Sequence, residues 1–338
     1  MDTFSEDMDH DQRIFRGFAN IQTEIMSVLA VGTVAFDDIE TPFGKREKAL
    51  GGSATYITMA ARFMCDDVKL VAVVGNDFPD EYVDVMRSRR IDLQGLEVEA
   101  DGLTFAWGGK YHYDLNNRDT LYTDLNVLSS FNPVLPDSYQ TSRIVCLGNL
   151  DPGVQDSVMR QVENPSMVLC DTMNFWIEHT PDSLKDLLGK VDCLVINDSE
   201  ARELSGVPNL VMAARMIKSL GPEVLIIKKG EHGALMFAGD TIFSVPAFPL
   251  EDIQDPTGAG DAFMGGFAGY LSGCRDINLD ALKRALVYGS VVASYTVEQF
   301  GPEGLYELTR SEIENRIDAF RDLTTIPMSS VETIDSSS

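Results

Sequence analysis

The 338-residue sequence predicts an α/β fold: a doubly wound, mostly parallel sheet with helices on both faces, plus a small β-sheet lid. Two observations predict the sheet. Short, continuously apolar segments recur along the chain, as expected of strands covered on both faces, and helical stretches stand between them. A third observation predicts the lid: two polar, turn-rich segments, at about 37–50 and 96–126, break that rhythm.

In chain order, residues 1–25 are polar and acidic and read as a disordered extension. Their Asp2, Glu6, Asp7, Asp9 and Asp11 are not the makeup of a signal or transit peptide. The strand candidates are Ser27–Ala35, Val68–Val74, Ile144–Leu147, Met167–Cys170, Cys193–Ile196 and Val224–Lys228. Ser53–Met64, Pro79–Arg90, Val154–Val162 and Leu210–Ser219 have helical patterning, with Ser53 and Asn209 as capping residues. The first off-rhythm segment holds Pro42 and Gly44. The second is aromatic and reads as an antiparallel unit; Phe105, Trp107, Tyr111 and Tyr113 are hard to explain on a plain surface hairpin, which favours a lid. A single domain over 26–325 follows, and 326–338, rich in Ser and acids, reads as a flexible tail.

Composition excludes several functions. Net charge is −26, from 53 acids against 27 bases, which argues against a nucleic-acid partner and against docking on anionic membranes. The longest apolar run, Met26 to Phe36, is well short of the roughly 20 residues that span a bilayer, so a cytoplasmic protein is expected. The acidic balance, with Arg outnumbering Lys, fits either a high-salt cytoplasm or an ordinary acidic protein. Cys65, Cys146, Cys170, Cys193 and Cys274 are odd in number and form no CxxC, so buried reduced thiols are expected rather than disulfides or zinc. The four His residues form no HExxH.

The strongest local signal is Asp255-Pro256-Thr257-Gly258-Ala259-Gly260-Asp261-Ala262-Phe263, followed by Met264-Gly265-Gly266-Phe267. A turn of small residues enters an apolar helix. Gly258 and Gly260 permit close backbone approach, and the N–H groups of the first helical turn form an anion site. Asp261 either complements the helix dipole or takes a proton from a nucleophile; local physics leaves both open. Asn197-Asp198-Ser199-Glu200 reads by itself as a helix start, with Asp198 or Ser199 as the cap.

DPTGAGDAFMGGF resembles the C-terminal signature of the PfkB (ribokinase-like) family of sugar and nucleoside kinases. Other segments agree in order: Val31-Gly32 with Asp37, Gly51-Gly52-Ser53-Ala54, Val73-Val74-Gly75-Asn76-Asp77, Asn197-Asp198-Ser199-Glu200 as NxxE, and Lys229-Gly230-Glu231-His232-Gly233-Ala234 as KxGxxG. The resemblance covers roughly 26–325 and implies a ribokinase-like fold and an ATP- and Mg²⁺-dependent phosphotransferase. The implied acceptor is a hydroxyl of a sugar, the alternative being an adenosine- or cytidine-like nucleoside. It implies Asp261 as general base and Gly258, Ala259 and Gly260 as the anion hole. Asp37, Gly51, Gly52, Ser53 and Tyr56 would bind the acceptor. Lys229, Gly230, Gly233, Asp255 and Thr257 would lie on the nucleotide side, and Asn197 and Glu200 would hold Mg²⁺ through waters. A monovalent cation such as K⁺ and a homodimer through the lid are further implications.

The chain departs from the family pattern at three places. Tyr56 stands where many relatives carry Asn, Ser53 replaces a Lys, and Asp171-Thr172-Met173-Asn174-Phe175-Trp176 lacks the Arg of a DxNxR loop. Val297 to Leu305 is similar to the family's adenine-side or cation loop. Competing enzyme classes lack their marks: no GxxxxGK[ST], no protein-kinase signature set, and no GxGxxG after the first strand. A non-catalytic binder of the same fold would have lost Asp261, Asn197 or Glu200, and all three are present.

Overall fold

A computed structural model describes residues 26–326; the expected extension over 1–25 and the expected tail beyond its first residue lie outside the described residues. The chain opens with β1 (Ser27–Val31), β2 (Ala35–Thr41), β3 (Gly44–Gly51), α1 (Ser53–Ala61), β4 (Asp67–Gly75) and α2 (Asp80–Ser88). It continues with β5 (Asp92–Glu99), β6 (Ala106–Tyr111), β7 (Arg118–Asp124), β8 (Ile144–Leu147), α3 (Pro152–Met159) and β9 (Met167–Cys170). Next come α4 (Asn174–His179), α5 (Pro181–Leu188), β10 (Cys193–Asn197), α6 (Asp198–Ser205), α7 (Leu210–Lys218) and β11 (Val224–Lys228). It ends with β12 (Ala234–Ala238), β13 (Thr241–Val245), α8 (Ala259–Ser272), α9 (Leu279–Thr296) and α10 (Arg310–Thr324).

Nine strands form one sheet in the order β13-β12-β11-β10-β9-β8-β1-β4-β5. Its pairs are parallel except β11–β12 and β12–β13. Alternate residues of β1 feed two separate cores, as a sheet covered on both faces requires. Val28 and Ala30 join Ile57 of α1, Phe267 of α8 and Leu286 of α9. Leu29 and Val31 join Val158 of α3, Leu187 of α5 and Ile217 of α7. Among the described residues no helix is long and apolar enough to cross a membrane. All five cysteines are free, and Cys65, Cys146, Cys170 and Cys193 are buried, as expected.

A second sheet, ordered β3-β2-β6-β7, is the lid. It is mixed rather than antiparallel throughout: β2 and β6 run parallel, while β2–β3 and β6–β7 are antiparallel. Three expectations are corrected here. The apolar stretch from Ser27 to Ala35 is two strands in two sheets, because the chain turns at Gly32–Val34 and Ala35 begins β2. Leu96–Glu99 belongs to β5, the edge of the large sheet, paired with β4, so the second lid segment starts later than residue 96. Ser53 does not cap α1; Gly52 takes the cap position, and the Ser53 hydroxyl accepts from the Thr33 N–H at 3.1 Å. In return the Thr33 hydroxyl accepts from the Ser53 N–H at 2.9 Å, which locks the chain where it changes sheets.

Candidate active site

The parallel strands end side by side, and in doubly wound folds ligands bind outside such carboxyl ends. Asn197 and Lys228 are register partners at the ends of β10 and β11, and Asp171 follows β9 directly. The start of α8 lies over this row. Its cap, Gly258, has φ 75°, and a Cβ there would run into the Tyr56 ring, so glycine is required on both counts. Asp261 is the third residue of α8. A Cβ on Gly260 would stand 2.7 Å from the Lys228 Nζ, so that ammonium rests on the same turn. The Ala259 N–H donates back to the Pro256 carbonyl at 3.3 Å, and the other N–H groups of this first turn have no acceptor within the helix.

Asp37 enters from β2. Its carboxylate lies so close over Gly51 that no side chain could replace that hydrogen, and the Gly52 N–H donates to it. Burial, with the neighbouring Asp255 and Asp261, raises the Asp37 carboxyl to about 7. Burial and Asp171 raise Asp261 to about 7 as well, against the pull of Lys228 and Arg118. Glu200 is raised to about 7 by burial and by Asp171. Burial pulls the Lys228 ammonium down, but Asp171, Glu200 and Asp261 more than offset this and leave it above the usual lysine value. The site therefore holds several acids poised near neutrality around the Lys228 ammonium.

Asn197 and Glu200 form a reciprocal capping box at the start of α6: Asn197 Oδ1 accepts from the Glu200 N–H at 2.8 Å, and Glu200 Oε2 accepts from the Asn197 N–H at 2.8 Å. The cap is thus Asn197, not Asp198 or Ser199. Among the described residues no group of three or more His, Cys, Asp or Glu is arranged to hold a metal. Mg²⁺ needs no such cluster, since it takes one or two carboxylates and fills its remaining positions with water and substrate phosphate. Glu200 offers a buried carboxylate with an oxygen outside the capping box, a hard donor of the right type.

Lys229, Gly230 and Gly233 form the β11–β12 turn, closed by the Lys229 N–H donating to the Gly233 carbonyl at 2.7 Å. The lid reaches it: Asn116, in the β6–β7 turn, donates from Nδ2 to Glu231 Oε1 at 3.0 Å and rests on Gly230. A second lid contact joins Thr257 Oγ1 to the Tyr111 hydroxyl at 3.1 Å. Asp255 is fully buried; its two oxygens accept from the Thr257 N–H at 2.8 Å and the Gly301 N–H at 2.9 Å, tying the α8 turn to the 297–305 loop.

The structure brings together Asp37, Gly51, Gly52, Gly258, Gly260 and Asp261, as expected of one site. Ser53 is spent on Thr33. Tyr56 offers no stacking face: it is 1 % exposed, packed under Gly258, and its hydroxyl has no partner. Two cations complete the site. Arg118, at the start of β7, lowers the Asp37 and Asp261 carboxyls from the lid side. Lys228 was not singled out by sequence reasoning; its signal is a lysine closing an otherwise apolar strand, since lysines are seldom buried unless paired.

The family described as pfkB family carbohydrate kinase matches residues 27–307. The cytidine kinase of Thermococcus kodakarensis is 27% identical over 273 residues, which cover 78% of this chain and 96% of that protein. The nucleoside kinase of Methanocaldococcus jannaschii superposes with a TM-score of 0.71 at 20% identity, over 88% of this chain and 99% of that one. A protein described as ribokinase II from E. coli, in complex with ATP and Mg²⁺, also gives 0.71 at 20% identity, over 87% and 99%. These superpositions show that the fold is ribokinase-like.

Proposed function

We propose that this chain, which belongs to the pfkB family of carbohydrate kinases, transfers the γ-phosphoryl group of ATP to a hydroxyl on the sugar of a nucleoside. Membership makes it a phosphotransferase; the acceptor and the residue roles are the proposal. The observation that carries it is the half-buried Asp261 carboxylate beside the Gly258–Gly260 turn. A carboxylate there repels a bound anion unless it has a proton to take.

In the transfer, the acceptor oxygen bonds to the γ-phosphorus and the bond from that phosphorus to the β,γ-bridging oxygen breaks. ADP leaves with the electron pair, and Asp261 takes the hydroxyl proton. The N–H groups of Gly258, Ala259 and Gly260 face the charge on the transferring group. Asp37, with the Gly51–Gly52 backbone, accepts hydrogen bonds from neighbouring hydroxyls of the acceptor. The Lys229–Gly233 turn and the Asp255–Thr257 segment shape the nucleotide side. Mg²⁺, when bound, neutralises phosphate charge; Glu200 would hold it, with Asn197 orienting Glu200 through the capping box.

The nucleoside is favoured over a free sugar because the cytidine kinase and the nucleoside kinase cited above are full-length relatives in sequence and shape. A cytoplasmic location and a homodimer through the lid go with the same reading. The test is kcat/KM with ATP and Mg²⁺ across cytidine, adenosine, inosine, ribose, fructose and fructose 6-phosphate. A nucleoside at least tenfold above every free sugar supports the proposal. A free sugar in first place overturns the acceptor class, and no turnover with any acceptor while ATP binds overturns the transfer.

A further inference from the structure

We propose that Arg316, on α10, is a positioning residue for the donor nucleotide: it clamps the 246–254 segment to the end of α9, and so sets the turn that enters α8. The inference rests on the phosphotransfer reading above. It adds a residue that lies beyond the 27–307 stretch matched to the family.

The clamp is a planar cation held on several sides. Arg316 Nη1 donates to Ser294 Oγ at 2.9 Å and to Glu298 Oε2 at 2.9 Å. Its Nη2 donates to Glu298 Oε1 at 3.4 Å. The guanidinium carbon lies 3.4 Å from the centroid of the Tyr295 ring and 5.1 Å from that of Phe248. Only 15% of the side chain is exposed, so these contacts are largely shielded from water. Ser294, Tyr295 and Glu298 belong to the end of α9 and the residues after it, whereas Phe248 lies in the segment between β13 and α8.

Both walls lead to the nucleotide side. The Val297 carbonyl, next to Glu298, accepts from the N–H groups of Gln254 at 2.9 Å and Asp255 at 3.3 Å. Asp255 in turn holds the Thr257 and Gly301 N–H groups. At its other end the segment lies against the β11–β12 turn. A Cβ on Gly233 would run into the backbone of Val245, Pro246 and Ala247. The Ser290 hydroxyl of α9 donates to the Pro246 carbonyl at 3.1 Å. The segment is thus fixed at both ends to elements assigned to the nucleotide, and Arg316 faces its middle. The acceptor-side Asp37 and Gly51 stand on lid strands, away from these partners.

Anchoring α10 does not require this arginine. Ile313, Ile317 and Phe320 bury its apolar face in the core, and the Tyr295 hydroxyl donates to the Glu312 carbonyl at 2.8 Å. Measured against an apolar replacement, a shielded ion pair adds little net stability; what it supplies is a defined geometry. The geometry here needs arginine, whose fork spans two carboxylate oxygens while its flat face stacks on a ring.

The test uses the full chain with Mg²⁺. In R316M the KM for ATP and the calorimetric Kd for ADP should both rise about fivefold or more, with the acceptor KM within about twofold of wild type. R316K keeps the charge without the fork or the flat face, and should fall between wild type and R316M. A purely structural arginine predicts a lower melting temperature with both KM values unchanged, and that result overturns the proposal. Equal rises in the two KM values overturn it as well. If R316M does not fold, E298Q decides, because it removes the ion pair from a more exposed partner. An ADP Kd raised about threefold in E298Q supports the clamp, and an unchanged Kd overturns it. A wild type that binds ADP but transfers to no acceptor refutes the phosphotransfer reading, while the ADP comparison still reports on Arg316.

Discussion

Asp261→Asn separates chemistry from stability, and the two should move in opposite directions. The Asp261 carboxyl is raised from 3.8 to about 7, mainly by burial. Three pH units correspond to about 4 kcal/mol of penalty for carrying the charge in the folded protein. The residue is partly open to solvent, and screening reduces this to roughly 2 kcal/mol. The sign follows from linkage: the folded protein holds this proton more tightly than the unfolded chain, so the penalty is absent below about pH 4 and complete above about pH 7. Asn carries no charge, so at pH 8 the variant should melt about 4 °C higher, and the gain should vanish towards pH 4. At the same time it cannot accept a proton, and kcat should fall about 10²–10⁴-fold with ATP binding retained. In the wild type, activity should rise with pH through about 7 as Asp261 ionises. Calorimetric melting from pH 4 to 8 and steady-state kinetics on both proteins make the test. A variant within threefold of wild-type kcat, or one less stable at pH 8, refutes the reasoning.

Two further substitutions probe the surroundings. Tyr56→Phe removes a buried hydroxyl that has no partner, so stability should rise by about 1 kcal/mol, with the ranking of acceptors unchanged; a lower melting temperature would show that the hydroxyl is satisfied in solution. Asn116→Ala breaks the tip contact with Glu231, a hydrogen bond worth about 1 kcal/mol, and should raise the acceptor KM or the ratio of ATP hydrolysis to transfer about fivefold; unchanged values for both would make the β6–β7 turn a passive hairpin.

Much of the fold could be read from the sequence because buried parallel strands carry their own label. Val224–Lys228 and Met167–Cys170 are continuous apolar runs, and both are strands with the expected bounds. The misreadings have physical causes. Gly32, Thr33 and Val34 are all buried, so hydropathy runs on unbroken while the chain changes sheets. The β5 strand lies at a sheet edge with Val98 66% exposed, and so resembles a surface hairpin. In the site, Asp261 and its glycines sit in one contiguous turn and are visible as a motif. Lys228 and Arg118 reach the same point from a strand end and a lid strand, and only tertiary packing brings them there. Tyr56 illustrates the opposite limit: an aromatic near the site pattern proves to be packing beneath Gly258.

Asp37 does not belong to the large sheet. It lies on β2, whose neighbour β6 pairs it with Trp107, and the turn after β6 carries the Asn116 that rests on Gly230. Under the roles proposed above, one four-stranded sheet carries the acceptor-side carboxylate at one end and, at the other, the residue that rests on the nucleotide-side turn. Under that proposal an acceptor held by Asp37 and a nucleotide at the β11–β12 turn meet the same sheet, so the two binding equilibria should share a coupling free energy. Such couplings are typically about 1–3 kcal/mol, and they are reciprocal. Whatever factor the acceptor adds to nucleotide affinity, the nucleotide must return to the acceptor. The proposed roles would then make either ligand the other's effector, whichever binds first.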